Sequence, residues 1–179
     1  MRCIGVGQRA LDLMVTRATD PARKTFGKQL YQHGALLSPC TDQSLTRAGS
    51  VVQTIAHSRN ELDQARLLVL QAALHVRLFP PVCAIIDIQS AQIDRARAKG
   101  AMKSIGMAKS VVPVMLGRVL DRAMQLHGAE GCSQDTFLPR AYAGSRTLRW
   151  ADGPDEVHLL QIGIAELKSK FIPFSLLNM

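Results

Sequence analysis

Aromatic residues are scarce in this chain of 179 residues, at 4%. That shortage argues against a β-sandwich, whose strands draw on aromatic and β-branched side chains. Cysteine is sparse too. Cys3, Cys40, Cys83 and Cys132 form no CxxC pair, and no histidine stands at metal-ligand spacing from them. They read as reduced thiols of an intracellular protein. His33, His57, His75, His127 and His158 are scattered, so no metal site is expected. No apolar run reaches the roughly 18 residues that a membrane span needs. The N-terminus lacks the basic-then-apolar pattern of a secretory leader. Acidic residues are outnumbered, 14 against 22 basic ones, for a net charge of +8. Such a charge reads equally as an ordinary solvated basic surface or as one that attracts phosphate-bearing ligands or nucleic acid. The basic residues are spread along the chain with few aromatics between them, which disfavours nucleic acid as a partner.

What the chain has is aliphatic content. Hydrophobic residues make up 47%, mostly Ala, Leu, Val, Ile and Met, which suits packed helices in one domain. Residues Cys3 to Thr19 read as a helix whose apolar face carries Val6, Ala10, Leu13 and Ala18, widened by Leu11 and Met14. Asp20-Pro21 ends it. Ala35 to Gly49 has no period and reads as loop. A second helix is expected from Ser50 as N-cap. Its seam is Val51, Ile55, Ser58, Leu62, Ala65, Val69 and Ala72, and its wet face Arg59, Glu61, Asp63 and Arg66. Phe79-Pro80-Pro81 closes that segment. Val82 to Ile88 fits a short strand or a buried helical turn equally well.

A third helix is expected from about Ile93 to His127, with Ala108, Val112, Met115, Val119, Ala123 and Leu126 as its stripe and a kink at Pro113. Gly128 to Leu138 reads as a glycine-bearing loop and Arg140 to Leu148 as a short helix. In the turn that follows, Pro154 suits a first helical position, and Asp155 and Glu156 suit the positive end of a helix dipole. The last helix reaches Lys168 or Lys170. The sum is an all-α, up-and-down bundle over 1–170 with a tail at 171–179.

Three stretches could carry chemistry. Arg23 to Lys28 (RKTFGK) offers a guanidinium and a hydroxyl that can grip a phosphate, though most such segments are solvated turns. Gln125 to Gly131 (QLHGAEG) offers small residues and freed N–H groups, and equally a glycine-ended helix C-cap. Arg149 to His158 (RWADGPDEVH) sets three carboxylates beside a helix start. Ordinary capping explains them, and so does a general base in a water-excluding site.

In order and spacing, RKTFGK, a long-helix pair, QLHGAEGCSQD and ADGPDEVH together resemble the acyl-CoA dehydrogenase family. The likeness begins at GVGQRALDLM and covers most of the chain. The ADGPDEVH box is similar to the branch with family members ten and eleven. The resemblance implies the C-terminal four-helix bundle of an FAD-dependent enzyme. It implies that Arg23 and Thr25 contact the FAD of a neighbouring subunit. It further implies that Gln125, Gly128 and Gly131 hold the adenine-side phosphates and ribose, and that Pro154 and Glu156 lie beside the flavin. Asp152 then takes the place of the catalytic carboxylate, more often Glu in the family. The implied partners are an acyl-CoA substrate, an electron-transfer flavoprotein and further copies of the chain as homodimer or homotetramer. The implied compartment is the mitochondrion, with the peroxisome as alternative.

The chain departs from the family pattern in three ways. It begins inside the third domain, so an incomplete enzyme is expected, and this chain alone is expected to be inactive. Segments 35–49 and 76–92 read as additions. Gly34 stands where many relatives carry a Gln that touches flavin. The rival expectation is a non-catalytic helical module for oligomerisation or interaction. A basic nucleic-acid-binding bundle rests on charge alone.

Overall fold

The computed structural model describes residues 1–33, 49–78 and 101–171. It is all-helical: α1 (Arg2–Thr19), α2 (Ser50–Leu78), α3 (Met102–His127), α4 (Leu138–Thr147) and α5 (Asp155–Phe171). Short 3₁₀ turns occupy Leu30–Gln32 and Gly128–Cys132. This is the expected up-and-down bundle of three main helices, a short helix and a terminal one. The expected strand or turn at Val82 to Ile88 and the 171–179 tail beyond Phe171 lie outside the described residues. So do nearly all of the 35–49 and 76–92 segments. The third helix does not run unbroken from about Ile93: it begins at Met102, and Ala101 is its non-helical N-cap, with residues 93–100 outside the described residues. Val76 to Leu78 continue α2 without a break.

Helix α3 is the hub, packing against α1, α2, α4 and α5. That position explains why its buried surface is wider than one stripe. Val112, Met115, Val119 and Ala123 point inward as their spacing predicts, and Leu116 and Leu120 join them, both buried. Ala108 and Leu126 pack only at the edge of the core. The helix runs through Pro113, whose ring has no N–H to offer the carbonyl one turn back.

The face of α1 is rotated slightly from the expected one, which placed Ala10, Leu11, Met14 and Ala18 correctly. Ile4, Gly7, Leu11, Met14 and Ala18 form the buried row, with Ala10 beside it. Val6 and Leu13 only flank it. The cause is a close approach at Gly7: a Cβ there would lie 2.9 Å from Leu62 Cδ1 of α2. The helix therefore turns its small-residue edge inward, where the neighbouring backbone can come near.

In α2 the seam is as expected, with Ser58, Leu62, Ala65 and Ala72 buried. Its supposed wet face is not simply wet. Arg59 and Arg66 donate to Gln8 Oε1 of α1 at 3.0 and 3.2 Å, and Glu61 pairs with Arg122 of α3. Ser50 is the first helical residue and not the cap: Gly49 holds that place, its carbonyl accepting the Gln53 N–H at 3.1 Å. Helix α4 starts two residues earlier than expected, because Pro139 fits a first turn and Leu138 is fully buried. No described helix is long and apolar enough to cross a membrane.

Candidate functional site

The segment after α1 folds into a two-residue hairpin turn. Thr25 N–H donates to Lys28 O at 2.8 Å, and Lys28 N–H donates to Thr25 O at 3.1 Å. Phe26 and Gly27, at its tip, have φ of 49° and 78°. Two positive values in succession are the geometry that tight hairpins select. Glycine takes it freely, whereas a phenylalanine there is held against its preference. Its ring is 95% exposed and stands edge-on to His33, with ring centroids 6.4 Å apart. His33 in turn hydrogen-bonds the Thr25 carbonyl at 2.8 Å through Nε2. Thr25 and Phe26 thus stand out from the bundle.

The glycine stretch is compact. Gly128 ends α3 with φ 63°, and its N–H donates to the Gln125 carbonyl, so the helix-cap reading holds. The chain then makes the 3₁₀ turn and folds back so tightly that a Cβ on Gly131 would lie 2.4 Å from Met124 O. Gly131 is buried, while Gln125 and Gly128 are exposed. Packing alone therefore requires glycine at 131.

These two stretches meet. The Arg23 guanidinium clasps the Glu130 carboxylate through both terminal nitrogens, with Nη2 to Oε1 at 3.1 Å, and Asp20 lies 3.6 Å from its Nε. The Glu130 hydrogen bond raises Arg23 further above its ordinary pKa, and the Arg23 hydrogen bond holds Glu130 below the usual carboxylate range. Two terminal N–H groups facing two carboxylate oxygens is the geometry a guanidinium also offers a phosphate. Glu130 was invisible as a site residue in the sequence, because only the fold brings it to Arg23, 107 positions away. Phe26 was hidden as well: its exposure follows from the hairpin and not from composition.

The third stretch lies elsewhere. Lys109 Nζ donates to Leu148 O, so the segment before Asp152 sits beside the early part of α3. From Lys109 to Gly128 the helix axis runs about 28 Å at roughly 1.5 Å per residue. One chain therefore gathers Arg23, Thr25, Gln125, Gly128 and Gly131 at one end of α3, and Asp152, Pro154 and Glu156 towards the other. In the turn itself, Asp152 and Gly153 have φ of 56° and 103°. Asp152, Pro154 and Glu156 are exposed. Pro154 stands just ahead of α5, one place before its expected position. Asp155, expected only to complement the helix dipole, is buried and paired with Arg149 at 2.6 Å. Asp155 Oδ1 and both ring nitrogens of His158 are buried without a hydrogen-bond partner.

Among the described residues no cluster of His, Cys, Asp and Glu could hold a metal ion, and Cys3 and Cys132 are free thiols. The donor set at the hairpin end is a guanidinium, an amide, a backbone turn and an exposed ring. Such groups can bind phosphate oxygens, once the guanidinium is free of Glu130. The carboxylate at the other turn suits proton abstraction.

Residues 41–167 match the family model described as acyl-CoA dehydrogenase, C-terminal domain. The chain is 42% identical over 168 residues to Probable acyl-CoA dehydrogenase IBR3 of Arabidopsis thaliana, covering 94% of this chain and 16% of that one. It is 41% identical over 170 residues to acyl-CoA dehydrogenase family member 10 of Mus musculus, covering 95% of this chain and 13% of that one. A solved Mycobacterium abscessus structure assigned as an acyl-CoA dehydrogenase superposes with a TM-score of 0.69 at 33% identity, over 94% of this chain and 33% of that one. The chain thus spans a third or less of these relatives. The two hairpin-end stretches, the ADGPDEVH turn and the helix order all fall within the matched length, and the chain belongs to the acyl-CoA dehydrogenase family, as its C-terminal helical domain of the kind found in members 10 and 11.

Proposed function

We propose that this domain serves an FAD-dependent α,β-dehydrogenation of acyl-CoA thioesters, supplying the base and one wall of the cofactor site. The observation that carries the reading is Asp152. It is exposed, it makes no hydrogen bond or ion pair with the described residues, and it sits at a left-handed apex ahead of α5. A non-glycine residue held in that backbone region is a common mark of a working site. In this reading the Asp152 carboxylate takes the α-proton of the thioester, and the flavin, when bound, supplies the hydride acceptor for the β-hydrogen. Asp is one methylene shorter than Glu, so the backbone must bring it nearer the substrate, and rates respond to such small displacements. Arg23 would release Glu130 to pair with a phosphate oxygen. Thr25 and Gln125 would donate to the ribose and phosphates, and Gly128 would let the backbone approach. Gly131 would shape the loop that presents them, while Pro154 and Glu156 would border the flavin.

The separation of the two ends along α3 supports a site completed between copies of the chain, as homodimer or homotetramer. Electron-transfer flavoprotein as acceptor, and the mitochondrion or peroxisome as compartment, belong to the same proposal. So does the need for the further domains that longer relatives carry.

Two measurements test it. In a complete dehydrogenase carrying this domain, Asp152→Asn abolishes acyl-CoA turnover and leaves flavin absorbance intact. Undiminished turnover rules out Asp152 as the base. Purified with FAD, the assembled protein shows a bound-flavin spectrum. A folded, oligomeric protein that never retains flavin favours a non-catalytic oligomerisation module, the reading supported by the apolar stripes on α2 and α5.

A further inference from the structure

Five residues, Trp150 to Pro154, form the turn that carries Asp152, and its two flanks are tied to each other twice. Asp155 N–H donates to the Arg149 carbonyl at 3.1 Å. Arg149 Nε donates to Asp155 Oδ2 at 2.6 Å. Asp155 is the one buried charged residue among the described residues. The upstream flank is pinned as well. Trp150 and Ala151 N–H groups donate to Thr147 O at 3.2 and 3.1 Å, and Lys109 of α3 reaches the Leu148 carbonyl. Downstream, Gly153 lies against the His158 ring, where a Cβ would be 3.2 Å from Nε2. A loop closed this tightly cannot relax by spreading its ends. The unfavourable backbone is pushed to the apex, where Asp152 has φ 56°.

We propose that the Arg149–Asp155 ion pair is a clamp that positions Asp152, holding its backbone left-handed and its carboxylate out from the bundle. The inference rests on the reading of Asp152 as the base. Arg149 and Asp155 are positioning residues, acting through the turn. An ordinary role for Asp155 at a helix start would require nothing of Arg149, since the dipole alone would favour the carboxylate. The clamp requires both.

The test uses the 179-residue chain and two reporters inside the loop. Trp150 is the single tryptophan. The one-bond Cα–Hα coupling of Asp152, read by NMR, separates left-handed from right-handed backbone. Arg149→Met is expected to move Asp152 out of the left-handed region and to raise acrylamide quenching of Trp150, with helix content unchanged. Arg149→Lys, which keeps the charge, is expected to restore much of both signals. Asp155→Asn should resemble Arg149→Met and serves as the conservative variant if the latter folds poorly. A left-handed Asp152 and unchanged quenching in folded Arg149→Met or Asp155→Asn overturns the clamp. In a complete dehydrogenase, Arg149→Met should lower kcat about 100-fold while KM for acyl-CoA holds. If kcat holds although Asp152 has left the left-handed region, the positioning role is overturned. If Asp152→Asn leaves turnover unchanged, the base assignment fails while the NMR result still decides the clamp.

Discussion

Gly131 has no room for a side chain. A methyl group there would press on the Met124 backbone of α3, which cannot move aside as a flexible side chain could. Gly131→Ala should therefore destabilise the domain by about 1–3 kcal/mol, as overpacked sites do. Gly163 is the natural control, since it is exposed on α5 with nothing within 4 Å of a built Cβ. Gly163→Ala should stabilise by about 0.5–1 kcal/mol, by removing backbone freedom from the unfolded chain. Thermal melts monitored by circular dichroism check both signs. If Gly131→Ala melts like the parent, the loop is not as tight as its backbone indicates. Gly128 and Gly131 look alike in sequence, and only the path of the chain distinguishes a cap with positive φ from a packing contact.

At the level of elements, α2 and α3 are joined by more than the apolar seam. Glu61 accepts from both terminal nitrogens of Arg122 at 2.8 and 2.9 Å, and both side chains are only about a quarter exposed. The Arg122 hydrogen bonds hold Glu61 below the usual carboxylate range, against the opposing effect of burial, with Arg118 and His57 adding to the lowering. A carboxylate whose folded pKa is depressed stabilises the fold above its unfolded pKa, about 4.3. That contribution is lost as pH falls through the lower folded value. Glu61→Gln should cost about 1–2 kcal/mol near neutral pH. The gap between parent and variant should narrow on acidification below about pH 4. Urea midpoints at the two pH values measure this, and a gap that widens in acid contradicts the assignment. Periodicity placed Glu61 on the wet face of α2. It could not show that the long arm of Arg122 would cover it, because that depends on the rotation of α3.

For the molecule as a whole, the telling feature is apolar surface left uncovered. On α5, Val157, Leu160, Ile164 and Leu167 recur at helical spacing and are 43%, 64%, 43% and 60% exposed. On α2, Leu67, Leu70 and Leu74 form a second outward row. Contiguous apolar surface of this kind marks interfaces. Concentration-dependent association is expected in sedimentation velocity, and Leu160→Glu together with Leu167→Glu should shift the protein towards monomer with its helix content kept. Association unchanged by that pair would direct attention to α2.

The sequence by itself determined the helices, their order and the family. Heptad-like spacing, Pro and Gly punctuation and three short stretches are local properties, and they survive in any packing of the chain. The tertiary structure alone decided which row of α1 turns inward, because that followed from the contact between Gly7 and Leu62. It alone brought Glu130 to Arg23, set Asp155 under Arg149, and placed the glycine loop and the Asp152 turn far apart along α3. Apart from the Asp155–Arg149 pair, which closes a local turn outside any helical period, those relations join residues distant in sequence or depend on the rotation of whole helices, and helical periodicity carries no information about any of them.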